Sequence, residues 1–376
     1  MEIETSGDQM VLNMGPQHPS THGVLRVVLR TDGEIVRAAD PVIGYLHRCF
    51  EKHAENLDYP GVIPFTDRMD YVASMAQSLG FALAVERLAG IEVNERVRLL
   101  RVVMEELQRI ASHLVALGTY GLDTGAFTPF LYCFRERERI LDLFEWTCGA
   151  RLLYNYNWVG GLSHDVPEGF EVRAREFVDT FEPVLADLNN LLSFNKIFVE
   201  RTARIGVIPA EVAIDYGISG PNLRGSGVRW DVRKDEPYLG YEGFDFEICT
   251  GAGRFGPLGS CWDRYFVRVA EMEQSCRILR QALDRLPATA GMDVHAGLPK
   301  KVRPPAGEVC SRTETPRGEL TYYIVADGGE VPFRVKVKSP SFVAISSIGE
   351  VGRDHMIADV VAIVGAYDIV LGEVDR

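Results

Sequence analysis

The sequence predicts an α+β chain that is mainly helical, and three patterns carry that expectation. Short β-branched-rich runs stand at residues 8–13 and 23–38. Five long stretches between residues 69 and 286 repeat apolar side chains at helical spacing. A pair of alternating strands follows at residues 320–337. The implied organisation is an N-terminal antiparallel sheet carrying a histidine loop (1–40), a helical bundle core (41–295) and a C-terminal hairpin and helix (296–376), packed as one globular unit.

In the first region Val24, Val27 and Val28 precede Asp32-Gly33, a turn dipeptide, and Ile35-Val36 resumes the strand pattern. Gly15-Pro16-Gln17-His18-Pro19-Ser20-Thr21-His22 joins the first two strands and is too proline-rich for a helix. Helices are expected at Met69–Leu88, Asn94–Leu117, Phe134–Leu153, Glu168–Leu192 and Trp262–Leu286. Val72, Ala76, Leu79 and Leu83 show the period in the first of them, and Leu100, Met104, Leu107 and Leu114 in the second. Ser219–Trp230 is rich in Gly and Ser but has neither a preceding strand nor a following Lys-Ser/Thr, so it reads as a structural loop. Residues 296–308 read as a linker. Leu320–Val325 and Pro332–Val337, joined through Asp327-Gly328-Gly329, read as a hairpin, and a last helix lies near Met356–Val364.

Composition narrows the function classes. A hydrophobic content of 46% with 25% charged residues suits a packed core. A formal net charge of −13 argues against nucleic acid or anionic lipid as a direct partner. No run reaches the ~20 apolar residues of a membrane helix, because Gly365 and Asp368 interrupt the best candidate, Val360–Val370. The acidic start lacks a signal-peptide pattern, so the expectation is a soluble chain that meets a membrane only through partners. Seven scattered cysteines, none at CxxC spacing, read as reduced and hold no metal by themselves.

Several residues are candidates for chemistry, each with a plainer alternative. His18 and His22 either cap backbone groups in a turn or supply imidazoles to a reaction. A zinc hydrolase built on both would need a third ligand. Tyr71, at the start of a helix, either packs or donates its hydroxyl. Asp123, between a long helix and Thr124-Gly125, either forms a turn or pairs with a base. Gly44–Lys52, which concentrates His, Arg, Cys and Glu, reads as the polar face of a helix.

Taken together, Gly15–Arg26 (GPQHPSTHGVLR), Gly44–Lys52 (GYLHRCFEK), Arg68–Tyr71 (RMDY), Glu106–Leu114 (ELQRIASHL) and Thr128–Glu138 (TPFLYCFRERE) resemble one family. Gly225–Lys234 (GSGVRWDVRK), Pro316–Val325 (PRGELTYYIV) and the terminal Val374-Asp375-Arg376 extend the likeness from about Met10 to Arg376. The chain resembles the large quinone-site subunits of complex I, the proton-translocating NADH:quinone oxidoreductases. These are themselves similar to the large subunit of nickel-iron hydrogenases, which implies a hydrogenase large-subunit-like fold.

Hydrogenases hold their metal with two CxxC pairs. Here the early position is Leu46-His47-Arg48-Cys49 and the late one Asp368-Ile369-Val370-Leu371-Gly372, so the thiolates that bind such a metal are missing. Cys49 stands where the family has glycine. The resemblance implies that the vacated cavity seats a quinone head group, the substrate. His22 and Tyr71 would donate to its two oxygens, with Asp123 pairing with the histidine. It places Arg48 near an iron–sulfur cluster held by a neighbouring subunit. Implied partners are the other chains of such a complex: the small one that bears the cluster, a hydrophilic one, a ferredoxin-like one and a membrane-embedded one. The implied location is the cytoplasmic face of the inner (plasma) membrane, peripheral to it. Where many relatives carry a histidine near the cluster, this chain has Leu153. Two alternatives share many of these features: the equivalent subunit of a ferredoxin-driven relative, and a structural subunit of a membrane hydrogenase.

Overall fold

A computed structural model describes residues 2–6, 9–18, 21–297 and 301–376, with the side chains of 2–6 and 9 excepted. Four antiparallel strands open the chain in sequence order: β1 (Glu2–Ser6), β2 (Gln9–Met14), β3 (Arg26–Asp32) and β4 (Ile35–Val42). β1 is an addition to the expected sheet. The histidine loop joins β2 to β3, and the Gly33 turn joins β3 to β4. Leu12, Val27, Leu29 and Val36 turn into the core, as period-2 alternation requires.

Short helices α1 (Phe50–Ala54) and α2 (Tyr59–Thr66) lead to α3 (Ser74–Ala89), the 29-residue α4 (Glu95–Asp123) and α5 (Phe127–Cys148). After a two-residue ladder of β5 (Asn157–Trp158) and β6 (Gly161–Leu162) come α6 (Phe170–Leu188) and four short helices: α7 (Lys196–Thr202), α8 (Ala210–Asp215), α9 (Gly220–Gly225) and α10 (Val232–Asp235). The long α11 (Cys261–Arg285) completes the bundle. The strands and α-helices that follow are β7 (Gly307–Thr315), β8 (Gly318–Ala326), β9 (Arg334–Lys338), α12 (Pro340–Ser346), α13 (Ile348–Val351), α14 (Ile357–Tyr367) and α15 (Leu371–Asp375).

Helix α4 is the axis of the molecule. Asn94 caps it by accepting from the Val97 N–H at 3.1 Å, and most of its residues are buried between α5, α11, α14 and α3. A second apolar cluster packs α1, α2 and α3 against β8 and β9.

The structure corrects several sequence expectations. Gly44–Lys52 is not one helical face: residues 43–49 form a loop, and helix begins only at Phe50. Tyr71 lies in a turn ahead of α3, because the Asp70 side chain takes the N–H groups of Val72 and Ala73 and holds the backbone off the helical path. Asp123 ends α4 instead of following it. α5 stops at Cys148, where Gly149 adopts a left-handed cap, so Leu153 lies outside it. Ser219–Trp230 contains α9, packed so closely on the β7–β8 turn that a Cβ on Gly220 would meet the Gly318 Cα at 2.3 Å. The expected linker 296–308 ends in β7, which pairs with β8 along its whole length; Leu298–Lys300 lie outside the described residues.

Candidate functional site

The histidine loop is shaped by its own backbone. The Thr21 N–H and hydroxyl both donate to the His18 carbonyl, at 3.1 and 2.8 Å, and Thr21 is buried. Gly15 has φ 87°, and a side chain there would collide with the Leu25 carbonyl. Pro19 and Ser20, inside the loop, lie outside the described residues. His22 follows in the left-handed region at φ 53°, a conformation uncommon for a side-chain-bearing residue. That backbone directs its imidazole across the molecule. Nε2 lies 2.8 Å from Asp123 Oδ2, and both side chains are mostly buried.

The pairing needs the end of α4 to approach α14. A Cβ on Gly365 would lie 2.7 Å from the Tyr120 ring and 3.0 Å from Asp123 Oδ2. Glycine at 365 therefore leaves the carboxylate its room. His18 does not share this place: it lines a cavity of about 410 Å³ with Asn13, Glu34 and Val361, and His22 is not among the lining residues. Among the described residues no three His, Cys, Asp or Glu side chains are grouped as metal ligands.

Tyr71 is partly exposed on its turn. Partial burial raises its phenol above the ordinary value; the Arg317 and Arg48 cations oppose that rise and the Asp70 carboxyl adds to it. Asp70 Oδ1 accepts from Val72 and Ala73, while its Oδ2 lies 2.6 Å from Arg317 Nη1. Burial pushes the Asp70 carboxyl up, and Arg317 acts against it. Sequence reasoning gave no role in the site to Arg317, Asp368 or Glu373. The available signals were the quoted Pro316-Arg317-Gly318 and the terminal segment that follows α14.

That terminal segment organises the rest. Asp375 accepts from the backbone N–H groups of Gly44 and Leu46 at 2.8 and 2.7 Å, and its carbonyl lies 2.6 Å from His47 Nδ1. Arg48 is held from both directions, its N–H donating to the Arg376 carbonyl and its Nη2 to the Arg68 carbonyl. Gly372 meets the Met69 carbonyl so closely that a Cβ would sit 2.5 Å from it. Glu373 is buried against Gln77 and Ser341 and is pushed up to about 7, chiefly by burial and then by the Asp70 charge. The structure thus joins His22 to Asp123 directly and ties the segments of Tyr71 and Arg48 to the C-terminal residues.

The donor set does not fit a nickel–iron centre. Cys49 is a single exposed thiol, 3.7 Å from His47 Nε2, and the late position offers Asp368 and aliphatic side chains. Leu153 lies in a strained stretch where Leu153 and Asn155 both have positive φ. The Asn155 N–H donates to Asp67 Oδ2 at 2.6 Å, and burial raises the Asp67 carboxyl to about 7.

Comparison with known proteins shows the family. Residues 123–301 and 294–376 match the family of the respiratory-chain NADH dehydrogenase 49 kDa subunit. The D-type subunit of the NADH-quinone oxidoreductase of Chlorobium luteolum is 54% identical over 377 residues, spanning 100% of this chain and 95% of that protein. The same proteins of Chlorobium chlorochromatii and Prosthecochloris aestuarii are 55% and 53% identical, each over 100% of this chain and 94% of theirs.

Proposed function

The chain belongs to the family of the respiratory-chain NADH dehydrogenase 49 kDa subunit, and from that premise we propose that it forms the quinone head-group site of an NADH:quinone oxidoreductase and supplies protons there. The observation that carries the reading is the His22–Asp123 pair at 2.8 Å, made by residues 101 positions apart.

Reduction of a quinone to a quinol takes two electrons and two protons, one proton for each carbonyl oxygen. Charge building on those oxygens is stabilised by a donor already in place, which then passes its proton. Imidazole and phenol are suited to the two positions. His22 would donate at one oxygen, its ring oriented by the Asp123 carboxylate. Tyr71 would donate at the other, its acidity set by the Arg317 and Arg48 cations against partial burial. The electrons would come from an iron–sulfur cluster of a neighbouring subunit, with Arg48 at that interface. The cluster-bearing, hydrophilic, ferredoxin-like and membrane-embedded chains are the partners this reading requires, and proton translocation belongs to the whole assembly.

Among the described residues no helix is long and apolar enough to cross a membrane, which agrees with a peripheral place in a membrane complex. The cytoplasmic face is part of the proposal. So is NADH as donor, against a ferredoxin-driven assembly using the same site. Purification of the native complex decides the donor, since co-purifying NADH-oxidising subunits support NADH and their absence supports ferredoxin. A photoreactive short-chain quinone tests the site itself. Labelling of this chain within residues 15–26 or 67–73, displaced by excess quinone, is expected; displaceable labelling confined to other segments contradicts the assignment.

A further inference from the structure

The two proposed donors stand on separate segments, and one buried guanidinium lies between those segments. Arg317, in the β7–β8 turn, is 2% exposed. Its Nη1 lies 2.6 Å from Asp70 Oδ2 and 3.1 Å from Ser112 Oγ on α4, and its Nη2 lies 3.4 Å from Asp368 Oδ1. Asp70 shapes the Tyr71 turn through its other oxygen. Asp368 is the left-handed cap that ends α14, the helix whose Gly365 abuts Asp123. Arg268 secures the same helix end by donating to the Ala366 and Tyr367 carbonyls. An ionic strut therefore runs from the Tyr71 turn through Asp70, Arg317 and Asp368 to the end of α14, and close packing at Gly365 links α14 to the Asp123–His22 pair.

We propose that Arg317 is a positioning residue for quinone reduction, holding the Tyr71 turn against the end of α14 so that the phenol and the His22 imidazole keep a fixed separation across the head-group site. The inference rests on the roles given above to Tyr71 and His22. A planar guanidinium is the side chain suited to the task, because it offers several donors in a rigid fork and reaches two carboxylates at once, whereas an ammonium reaches them only as a point charge. The group also acts on the phenol directly: among the charges facing Tyr71, the Arg317 cation makes the phenol easier to ionise more strongly than the Asp70 carboxyl makes it harder, with Arg48 acting in the same sense as Arg317.

The test uses the assembled complex and a short-chain quinone, with NADH oxidation by an artificial acceptor as the control for assembly. Arg317→Lys keeps a cation between the two carboxylates and loses the fork, so kcat/KM is expected to fall about tenfold. In a Tyr71→Phe background the same change is expected to cost less than about threefold, because residues acting as a unit are not additive. A tenfold loss in both backgrounds would mean that Arg317 serves packing alone and would overturn the inference. A Tyr71→Phe complex with unchanged kinetics would overturn the role of Tyr71 and this inference with it, so the two failures are distinguishable. Arg317→Gln adds a pH readout: with the cation gone the phenol becomes harder to ionise, and the alkaline limb of the kcat profile moves to higher pH. An unmoved limb counts against the proposal. If neither variant assembles, Ser112→Ala removes one acceptor of the guanidinium at little structural cost. A small loss of kcat/KM that vanishes in the Tyr71→Phe background supports the proposal, and an equal loss in both contradicts it.

Discussion

Tyr71 separates chemistry from packing most cleanly, because phenylalanine keeps the ring and removes only the hydroxyl. Since that hydroxyl is proposed to carry a proton to the quinone, Tyr71→Phe should lower kcat/KM by about 10²-fold while the complex still assembles. Steady-state kinetics with short-chain quinones check it, and unchanged values would remove Tyr71 from the mechanism. Asp123→Asn should be milder than loss of the imidazole, because the amide can still hold the ring that the carboxylate oriented at 2.8 Å. Leu153 carries a prediction of its own. In the proposed complex, with the cluster beside this position and no imidazole there, its potential should change little with pH, and Leu153→His should introduce a slope. A redox titration followed by EPR decides it, and a strong slope in the unaltered protein would refute the idea. At this scale the sequence named His22, Asp123, Tyr71 and Arg48 by family likeness. It could not supply the distance between His22 and Asp123, which depends on a left-handed histidine backbone and on the absence of a side chain at 365.

The long helices were legible because a repeat of 3.6 survives wherever one face is buried. Their ends were less so. α4 runs six residues past Leu117 to Asp123, since tertiary contacts with α14 and α5 favour burial of Tyr120 and Gly121. β7 escaped notice because Thr313, Glu314 and Thr315 are polar yet buried, their partners supplied by distant residues: Arg224 Nη1 lies 2.8 Å from Glu314 Oε1. Glu105, at the centre of α4, shows what such burial does to a carboxyl. Burial raises it to about 8, outweighing the nearby Arg109. A carboxyl raised in the fold contributes stability that is fully present below its unfolded value and is lost as pH rises through the folded one. Asp67, Glu314 and Glu373, each raised to about 7, act in the same sense. Thermal stability should therefore fall between about pH 5 and pH 8, and Glu105→Gln should flatten the upper part of that fall. Melting curves across this range check it, and an identical slope in the variant would contradict the assignment.

At the scale of the whole molecule, the described surface bears several large, exposed apolar side chains. Val172 and Ile197 are each 71% exposed, and Phe333 67%. In the assembly proposed above such side chains are expected to lie against the partner chains. The chain expressed without its partners should aggregate unless detergent or another chain of the complex is present, and light scattering checks this; a stable monomer at high concentration would contradict it. The C-terminal residues explain why the site resisted a segment-by-segment reading. Asp375 fastens residues 44–47, Gly372 abuts the Tyr71 turn, and Asp368 receives Arg317, so one short terminal stretch assembles groups spread over more than 300 positions. The central claim is that this assembly delivers protons to a bound quinone through His22. Quinone reductase activity of the His22→Ala complex, measured beside its NADH oxidation by an artificial acceptor, tests that claim most directly. The account predicts a loss of about 10²-fold or more in the first activity with the second retained. Equal loss of both, or retention of quinone reduction, would contradict it.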